Sequence, residues 1–486
     1  MSNSLFTNLN ILPEVQKVID EMGFTTPTEI QEKAIPVLND TDRDFVGQAQ
    51  TGTGKTVAFV VPLLSKINTK SNYVQAIILA PTRELANQVE SELVKLGKYT
   101  DVKSTCIYGG TDYDKQISAL RNDRPHIVVG TPGRVIDMIN KGHLRLDKAR
   151  FCILDEADEM LTMGFFEDVQ IVLSKFPNKR QLMMFSATMP KPIIRLIKNE
   201  FNNPIVVKIA NMSLSNDDIE QKYFVVRDKH FKEALARLID DAKDVYGIVF
   251  CRTKIETKEV GDDLKKRGLA VDVLNGDLGQ FERDHAMRNF KTKKVNILVC
   301  TDVAARGIDI DNLTHVFNFG LPRDNESYVH RIGRTGRAGM KGKAYTIVGP
   351  KSSFAMKNIE RHINKTIELA KLPSIDDLKR NLVEREVDAA AQILTAIKAK
   401  GEDFKTEVAF DLIVEKFSDL SQEELLKLMF VWKFNKEMRH YNNLSDIEKF
   451  SPSATISKPR KERPAHGRTP ESRKKKHSGP RKYSKK

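Results

Sequence analysis

The sequence predicts an α/β protein with two tandem parallel-sheet domains, followed by a small helical module and a disordered basic tail. Its 486 residues suggest about three units, since a typical domain has roughly 150 residues. Short apolar runs alternate with helix-like stretches, which is typical of parallel strands covered by helices. This alternation occurs twice along the chain, so we expect two sheets of the same kind.

The strands of the first predicted sheet are the apolar runs DFVGQA, QAIILAP, TCIYGG, HIVVGTP, FCILDEAD and LMMFSAT. Those of the second are KYFVVR, GIVFCRT, VDVLNGD, NILVCTD, THVFNFG and AYTIVGP. Most runs lead directly into polar or glycine-containing stretches, which we therefore expect at the carboxyl ends of the strands. Open α/β sheets bind their ligands along that edge.

Beyond Pro373 the strand-like runs stop and a helical pattern begins. Apolar residues recur at helical spacing at Leu378, Leu382, Ala390, Ile393, Leu394 and Ile397. Ser421 and Glu424 predict a capping box in front of another apolar helix. The predicted boundaries are 1–207 for the first sheet domain, 208–217 for a hinge, 218–370 for the second domain, 371–450 for the helical module and 451–486 for the tail.

The positive charge of the chain is concentrated in the tail. Residues 451–486 contain 13 basic and two acidic side chains, a charge of +11 out of the total +14. A segment of this composition cannot offset its ordering entropy and is expected to be disordered. It is either a solubilising end or, as we favour, a tether that seeks the phosphates of nucleic acid.

Composition also excludes several classes of protein. The apolar content of 40% argues against wholesale disorder, and no uninterrupted apolar run approaches the ~18 residues of a membrane span. The first ten residues, MSNSLFTNLN, lack the pattern of a signal peptide, so we expect a cytoplasmic protein. Cys106, Cys152, Cys251 and Cys300 form no CxxC pair and are interpreted as reduced packing residues.

A glycine-rich phosphate loop is predicted between a strand and a helix. Its backbone N–H groups and the helix N-terminus can surround the β- and γ-phosphates of a nucleotide. Lys55 can neutralise these phosphates, and the hydroxyl of Thr56 can bind Mg²⁺. The predicted nucleotide-binding residues of this loop are Ala49, Gln50, Thr51, Gly52, Thr53, Gly54, Lys55 and Thr56.

An acidic cluster follows the apolar strand FCIL. A buried carboxylate needs a cation or hydrogen-bond donors, so Asp155 is predicted to hold Mg²⁺. Glu156 can accept a proton from, or orient, the water that attacks the γ-phosphate. A solvated helix start would fit Asp158 or Glu159 but not Asp155. The two motifs together predict an ATPase.

With its other motifs the chain resembles the DEAD-box RNA helicases of superfamily 2, from Phe6 to about residue 370. In addition to AQTGTGKT and DEAD, it contains GFTTPTEIQ, PTRELA, Gly109-Gly110, TPGR, SAT, VFCRT, GDLGQFER, TDVAARGID and HRIGRTGR. The resemblance implies two RecA-like domains and an RNA-stimulated ATPase that uses ATP and Mg²⁺.

The resemblance also implies roles for residues on the nucleotide side. Gln31 and Phe24 would contact adenine, and Gly307 and Asp309 would lie near the nucleotide, Asp309 close to the ribose. Arg334 and Arg337 would act as arginine fingers that reach the γ-phosphate when the two domains close. His330 would link Asp158 and the γ-phosphate to the interdomain contact. Asp158, Ser186 and Thr188 would couple the ATP site to the RNA site.

RNA binding is assigned by the resemblance to small, glycine and basic residues that can approach a sugar-phosphate backbone. The predicted RNA-binding residues are Pro81, Thr82, Arg83, Gly110, Thr131, Pro132, Gly133, Arg134, Thr253, Gly276, Asp277, Gln280, Arg283 and Thr301. Because none provides a base-edge code, recognition is expected to depend on backbone shape and the 2′-hydroxyl. For any single arginine in this set, a salt bridge within its own domain is an equally good interpretation.

These expectations define a helicase that unwinds RNA duplexes locally and non-processively. One alternative is an ATP-locked RNA clamp or assembly platform, and another is an enzyme that moves along DNA. The helical module resembles the extension of bacterial cold-shock-type DEAD-box helicases, which commonly pairs two chains, although a monomeric appendage is equally compatible. Ribosome assembly, mRNA turnover and cold adaptation all remain open, as do partners in ribosomal or RNA-degradation complexes.

Overall fold

The computed structural model describes residues 5–50, 52–209, 218–242, 244–305, 313–336, 340–400 and 409–442. The predicted tail and residues 210–217 of the predicted hinge lie outside these ranges. The described residues form two seven-stranded parallel sheets, which confirms the predicted fold class. We call residues 5–209 the first lobe and residues 218–369 the second lobe. The residue numbers at which the chain divides into domains stay a prediction.

The first sheet has strand order β3-β4-β2-β5-β6-β1-β7. Its strands are β1 Phe45–Gln48, β2 Ala76–Leu79, β3 Ser104–Ile107, β4 Ile127–Gly130, β5 Phe151–Asp155, β6 Gln181–Ser186 and β7 Ile205–Lys208. The second sheet has the order β10-β11-β9-β12-β13-β8-β14. Its strands are β8 Ile219–Val225, β9 Gly247–Cys251, β10 Val271–Leu274, β11 Ile297–Thr301, β12 His315–Phe319, β13 Gly342–Val348 and β14 Glu368–Leu369. The two orders are the same when each strand is paired with its counterpart seven strands later.

All twelve predicted strands are present, and two further strands lie at sheet edges. β7 pairs with β1 from Phe45↔Ile205 to Gln48↔Lys208, so it extends into the segment predicted to be a hinge. β14 has two residues and pairs with β8. Both strands carry exposed or half-buried side chains, which makes their apolar signal weaker than that of the central strands.

Eighteen α-helices connect or follow the strands in the described residues. In the first lobe these are α1 Pro13–Glu21, α2 Glu29–Asp40, α3 Lys55–Lys66, α4 Arg83–Leu96, α5 Tyr113–Ser118, α6 Pro132–Asn140, α7 Ala157–Thr162, α8 Phe166–Leu173 and α9 Lys191–Glu200. The second lobe contains α10 Phe231–Asp241, α11 Lys254–Lys266, α12 Gln280–Lys291, α13 Asp302–Ala305, α14 Asn325–Ile332 and α15 Ser353–Ile363. The helical module consists of α16 Ile375–Lys400, α17 Ala409–Phe417 and α18 Gln422–Asn442. No described helix is long and apolar enough to cross a membrane.

Each sheet is packed on both faces. In β5, Phe151 and Ile153 join one hydrophobic core, whereas Cys152 and Leu154 join the core on the opposite face. The second sheet is likewise covered by two cores. Burial on both faces explains why the strands read as continuous apolar runs rather than as alternating patterns.

The helical module packs against α10 of the second lobe. Asn381 in α16 donates to Asp241 at 2.7 Å, and Arg385 donates to the backbone carbonyl of Asp240 at 2.8 Å. The predicted capping box of α18 is confirmed, because Ser421 N–H donates to Glu424 at 2.9 Å and Glu424 N–H donates to the Ser421 hydroxyl at 3.3 Å. The module is therefore attached to the second lobe while remaining outside both sheets.

Candidate active site and RNA interface

The strand order of the first lobe separates two groups of predicted residues. β5, β6 and β1 are neighbours, and their carboxyl ends lead into the acidic cluster, the SAT motif and the phosphate loop. β3, β4 and β2 are also neighbours, and they lead into Gly109-Gly110, TPGR and PTRELA. One half of this sheet edge therefore carries the candidate nucleotide site, and the other half carries the candidate RNA site.

The phosphate loop turns at glycine, as its sequence predicts. Gly52 and Gly54 have φ angles of 80° and 83°, a region that side chains other than glycine rarely occupy. Ala49 N–H donates to the carbonyl of Ser186 at 3.0 Å, which ties the start of the loop to β6. The hydroxyl of Thr53 donates to the carbonyl of Gln50 at 2.7 Å. Thr51 lies outside the described residues.

Gln31 connects the adenine-side motif to the phosphate loop. Its side-chain amide donates to the carbonyl of Gly54 at 3.1 Å and accepts from Thr28 N–H at 2.9 Å. The side chain is buried, whereas Phe24 is 42% exposed. The described contacts of Gln31 therefore position the loop, and its predicted contact with adenine stays a prediction.

Lys55 is a buried cation without a hydrogen-bond partner among the described residues. It is 6% exposed, and its Nζ has no hydrogen-bond acceptor among the described residues. An ammonium group in that position is costly unless an anion accompanies it. Thr56 follows Lys55 in the first turn of α3 and is half-buried, so a lysine and a hydroxyl are presented together at the end of the loop.

The acidic cluster contains two carboxyl groups of high proton affinity. Burial raises the pKa of Asp155 to about 7, although the nearby charge of Lys55 opposes the shift. Burial also raises the pKa of Glu156, against the opposing charges of Lys55 and Arg334. Asp155 accepts a hydrogen bond from Glu156 N–H at 3.0 Å. A carboxylate and a hydroxyl are hard oxygen ligands, so Asp155 and Thr56 fit a bound Mg²⁺.

The three predicted coupling residues form one hydrogen-bond network. Asp158 accepts from both the backbone N–H and the hydroxyl of Thr188 at 2.8 Å. Ser186 accepts from Asp158 N–H at 3.3 Å, and its hydroxyl donates to the carbonyl of Thr188 at 2.8 Å. Asp158 is 5% exposed and Glu159 is 8% exposed, so the interpretation of these two as a solvated helix start is wrong.

The second lobe completes the nucleotide-side pocket. Lys55 and Glu156 line this pocket from the first lobe, and His330 and Arg334 line it from the second. His330 Nδ1 lies 3.0 Å from Glu159 Oε1, so the described interlobe contact of His330 is with Glu159. Burial disfavours the charged imidazole, but the hydrogen bond and charge of Glu159, with Asp158 and Glu156 nearby, raise the pKa of His330 overall.

The sequence analysis did not select Arg331, a buried residue of the HRIGRTGR motif. Arg331 is 2% exposed and donates to Asp302 at 2.5 and 2.8 Å and to Asn318 at 3.1 Å. These bonds join α14 to α13 and β12. Arg331 lies between His330 and Arg334 in the chain. Its position in HRIGRTGR was visible, but sequence alone does not tell a buried arginine from an exposed one.

Two predicted RNA-binding arginines contact the opposite lobe. Arg83 donates to Gln280 at 2.6 Å. Arg283 donates to Glu84 through Nε at 3.2 Å and Nη2 at 2.7 Å. Instead of salt bridges within one domain, these residues form bonds across the cleft between the lobes. Glu84 was not selected by sequence reasoning, although it lies next to Arg83 in PTRELA.

The other residues of the predicted RNA site lie at the same two sheet edges. Arg134 donates to Gln116 at 3.0 Å, and a Cβ at Gly110 would lie 2.3 Å from Arg83, so this glycine allows Arg83 to approach. Thr82, Thr131 and Thr253 are the N-cap residues of α4, α6 and α11. The remaining described members follow β2, β4 and β10 or end β11, namely Pro81, Pro132, Gly133, Gly276, Asp277 and Thr301. Gly307, Asp309 and Arg337 lie outside the described residues.

Comparison with known proteins identifies the family. The family model described as DEAD/DEAH box helicase matches residues 28–196, and the model described as Helicase conserved C-terminal domain matches residues 231–339. DEAD-box ATP-dependent RNA helicase CshA of Geobacillus kaustophilus is 45% identical over 424 residues, which cover 87% of this chain and 90% of the relative. The protein of the same name from Bacillus subtilis is 45% identical over 372 residues, which cover 76% of this chain and 75% of the relative.

A solved structure agrees with this grouping. S. cerevisiae Dbp5 bound to RNA and ADP BeF3 has a TM-score of 0.70 and 32% identity, over 78% of this chain and 100% of that one. The two family models match parts of the first and the second lobe, and the curated relatives cover both lobes. The chain belongs to the DEAD-box ATP-dependent RNA helicases, which are hydrolases that act on ATP.

Proposed function

We propose that the protein separates RNA duplexes locally and non-processively, without reading base sequence, by closing its two lobes over ATP and one RNA strand. The observation that carries this proposal is the nucleotide-side pocket, which Lys55 and Glu156 line from one lobe and His330 and Arg334 from the other. Neither lobe supplies all four side chains. Hydrolysis would therefore depend on closure.

Each residue of the pocket has a distinct part in the proposed reaction. Lys55 neutralises the β- and γ-phosphates, which supply the hydrogen-bond acceptor that its buried Nζ lacks among the described residues. Glu156 accepts the proton of the attacking water, for which a raised pKa is suitable. Arg334, together with Arg337, stabilises the charge on the γ-phosphate, an effect worth about 10³ to 10⁵ in rate in phosphoryl transfer. Thr56 and Asp155 would hold Mg²⁺, which neutralises phosphate charge when it is bound.

Coupling to RNA would start from a network that contacts the phosphate loop. The network of Asp158, Ser186 and Thr188 adjoins the phosphate loop through Ser186, whose carbonyl accepts from Ala49 N–H. Across the cleft, Arg83 and Arg283 hold the RNA-side edges of the lobes together. Because ATP and RNA would each favour the closed arrangement, each raises the affinity for the other.

A relative supports this arrangement, since Dbp5 was solved with RNA and ADP BeF3 together. In the closed state one RNA strand would be held bent and its complement released. Hydrolysis would then reopen the cleft.

The test uses Glu156→Gln, with Glu167→Gln as a matched control on the exposed surface of the same lobe. We expect Glu156→Gln to lower RNA-stimulated ATP hydrolysis by about 100-fold or more, the usual contribution of a general base. Binding of ATP and RNA should persist, because the phosphate loop and RNA-side edge are unchanged. Parent-like hydrolysis by Glu156→Gln would refute the assigned base.

The two alternatives are separated by simple assays. An ATP-locked clamp would hold RNA but would not displace a short strand from a duplex, whereas the proposed enzyme displaces it in an ATP-dependent way. If the enzyme moved along DNA, single-stranded DNA would stimulate its ATP hydrolysis as strongly as RNA does. We expect strand displacement and a clear preference for RNA.

We also propose that the helical module pairs two copies of the chain. Exposed apolar side chains occur on all three of its helices. Seven of them fall within eight positions of α18, at Leu425, Leu426, Leu428, Met429, Phe430, Val431 and Trp432. A helix that is apolar all round is normally buried, and the attachment to α10 leaves these side chains exposed.

Sedimentation tests this pairing. The full chain should sediment as a dimer, and a chain ending near residue 372 should be a monomer. Trp432 is 83% exposed, so Trp432→Glu should dissociate the dimer without unfolding the lobes. Lys427→Gln on the same helix should remain dimeric, because Lys427 pairs only at the surface with Glu423. A monomeric full chain would rule this proposal out.

The cellular setting is proposed in the same way. We place the protein in the cytoplasm, with the basic tail at 451–486 as an additional phosphate contact. Its RNA substrate, and any ribosomal or RNA-degradation partner, are to be found by sequencing RNA crosslinked to the protein in cells.

A further inference from the structure

Three exposed apolar side chains border the RNA-side edge of the second lobe. β10, β11 and β9 are neighbouring strands, and the segments that follow them carry Phe281, Val303 and Ile255. These side chains are 83%, 55% and 66% exposed. Within the described parts of the two lobes, no other large apolar side chain is as exposed as Phe281.

Phe281 lies among groups that already bridge the cleft. It is the second residue of α12, between Gln280, which accepts from Arg83, and Arg283, which donates to Glu84. One turn later on the same helix, the ring of His285 lies parallel to that of Phe281, with ring centres 6.4 Å apart and an angle of 16° between the planes. Two exposed, nearly parallel rings therefore lie beside the cleft.

We propose that a nucleobase of the bound RNA strand stacks on Phe281, with His285 supporting the ring from the same helix. This inference rests on the proposed function, since it needs an RNA strand in the cleft. Stacking on an aromatic ring tolerates any base, so it adds affinity without adding a sequence code. It therefore modifies the expectation that recognition depends only on the RNA backbone.

The surroundings favour a base rather than a protein partner. The apolar side chains lie close in sequence to Thr253, Gly276 and Thr301, which are predicted to contact the sugar-phosphate backbone. Aromatic rings interleaved with backbone-binding groups are typical of sites for single-stranded nucleic acid. A protein interface would instead need a continuous apolar area, whereas Phe281, Val303 and Ile255 are each followed or preceded by polar residues of the cleft.

The test measures binding of the full chain to a single-stranded RNA 12-mer in the presence of a non-hydrolysable ATP analogue. A second set of 12-mers carries one abasic ribose, moved along the strand one position at a time. The variants are Phe281→Ala, which removes the aromatic ring, and Phe281→Tyr, which retains it. Phe354→Ala is the matched control, since Phe354 is 67% exposed on α15 of the same lobe and away from the cleft motifs.

We expect Phe281→Ala to weaken binding of the intact 12-mer by roughly 5- to 150-fold, the range for loss of one base–aromatic stack. Phe281→Tyr and Phe354→Ala should bind like the parent. When the abasic ribose lies at the stacked position, the parent should bind that 12-mer more weakly than the intact one. Phe281→Ala should bind the two 12-mers with nearly the same affinity, since it has no stack to lose.

Two results would overturn the inference. One is unchanged binding by Phe281→Ala, and the other is an equal loss on every abasic 12-mer, which would indicate a contact with the backbone. Both leave the proposed function standing, because the parent still binds RNA with the ATP analogue. A parent chain that binds no RNA under these conditions would instead contradict the proposed function, and the inference with it.

Discussion

Glu156 occupies a backbone conformation that residues other than glycine seldom adopt, with φ 49° and ψ 51°. The left-handed region costs about 1–2 kcal/mol for such a residue. Asp155, immediately before it, accepts a hydrogen bond from Glu156 N–H and thereby fixes the turn. The conformation lets Asp155 end the buried strand while Glu156 lines the pocket. Backbone strain of this kind is concentrated at functional sites, where neighbouring contacts enforce it.

Gly54→Ala is expected to weaken ATP binding by about 10-fold or more. A Cβ at this position would lie 2.3 Å from the amide nitrogen of Gln31, which donates to the carbonyl of Gly54, and such overpacking costs about 1–3 kcal/mol. Gly164→Ala is the control, because Gly164 has nearly the same φ, +84°, but open space around it. Titration with a fluorescent ATP analogue would measure the difference. Equal affinity in the two variants would show that the contact with Gln31 is unimportant.

His315 should make the second lobe less stable as the pH falls. Burial, with a smaller contribution from Lys343 and against Glu220, lowers the pKa of His315 to about 4, from an ordinary value of about 6.5. Between these values the unfolded chain binds a proton that the folded chain does not. The contribution of neutral His315 to the free energy of unfolding is therefore fully present above about pH 6.5. On the order of 3 kcal/mol of it is lost as the pH falls to about 4.

The shift can be measured directly by NMR titration of the histidine rings. His315→Gln identifies the signal, and we expect the His315 ring to remain neutral at pH 5. In denaturation experiments at pH 7 and pH 5, His315→Gln should lose less stability than the parent, whereas His362→Gln, at an exposed position, should match the parent. An ordinary titration of His315 near pH 6.5 would contradict this prediction.

Helix α14 is connected to neighbouring elements by one buried arginine, in addition to its core residues Tyr328 and Ile332. The bonds of Arg331 to Asp302 and Asn318 connect the helix to α13 and β12, and its guanidinium lies 5.1 Å from the centre of the Phe250 ring. His330 precedes Arg331 within α14, and Arg334 follows shortly after the end of this helix, so the bonds of Arg331 lie close to both pocket residues. A buried pair of this kind contributes to geometry more clearly than to net stability.

Asp302→Ala is expected to destabilise the second lobe by about 3 kcal/mol or more, because it leaves the buried guanidinium of Arg331 without its carboxylate. Glu259→Ala removes a carboxylate from an exposed pair with Lys232 in the same lobe, and it should cost less than about 1 kcal/mol. Calorimetry of both variants would compare the costs. Similar small losses would show that the pair is not what holds α14.

Local patterns predicted twelve of the strands and the capping box of α18 but not the arrangement of the elements. The twelve predicted strands and the Ser421 capping box follow from apolar runs and from short-range hydrogen bonding, which the sequence expresses directly. β7 was missed because an edge strand of four residues with two exposed side chains has a weak pattern. Strand order could not be predicted, since strands that are apolar on both faces carry no mark of their neighbours.

For the candidate site, too, the sequence predicted individual residues better than their partners. The motifs supplied Lys55, Asp155 and Glu156, because their chemistry depends on residue type and spacing. An interlobe role was expected for His330, Arg334 and Arg337, but Glu159 and Glu84 were not identified as partners, since they meet His330 and Arg283 only where two separate sheets come together. The sequence-based set was therefore more complete for groups that act within one lobe than for those that act across the cleft.

Over the whole molecule, contacts between the lobes occur on both the nucleotide side and the RNA side of the cleft. His330 meets Glu159 on the first side, and Arg283 meets Glu84 on the second. A ligand that strengthens one set of contacts therefore favours the other. Under the proposed function, ATP and RNA would affect each other's binding through these contacts.

Glu84→Gln should weaken that mutual effect. We expect the ratio of RNA dissociation constants without and with a non-hydrolysable ATP analogue to fall by roughly 5-fold, since coupling energies are typically 1–3 kcal/mol and one charged contact is lost. Glu92→Gln on the same helix is the control, because Glu92 pairs at the surface with Lys95 within α4. An unchanged ratio for Glu84→Gln would mean that this contact does not transmit the effect.

The double-faced cores of the two sheets also bear on the thermodynamics of binding. Each lobe buries its own apolar side chains on both faces, so neither needs a ligand in order to fold. Under the proposed function, nucleotide and RNA would dehydrate surfaces that line the gap between the lobes, while the four cores of the described residues are already formed. The heat capacity change of binding should therefore be small and negative, well below that of a segment that folds as it binds.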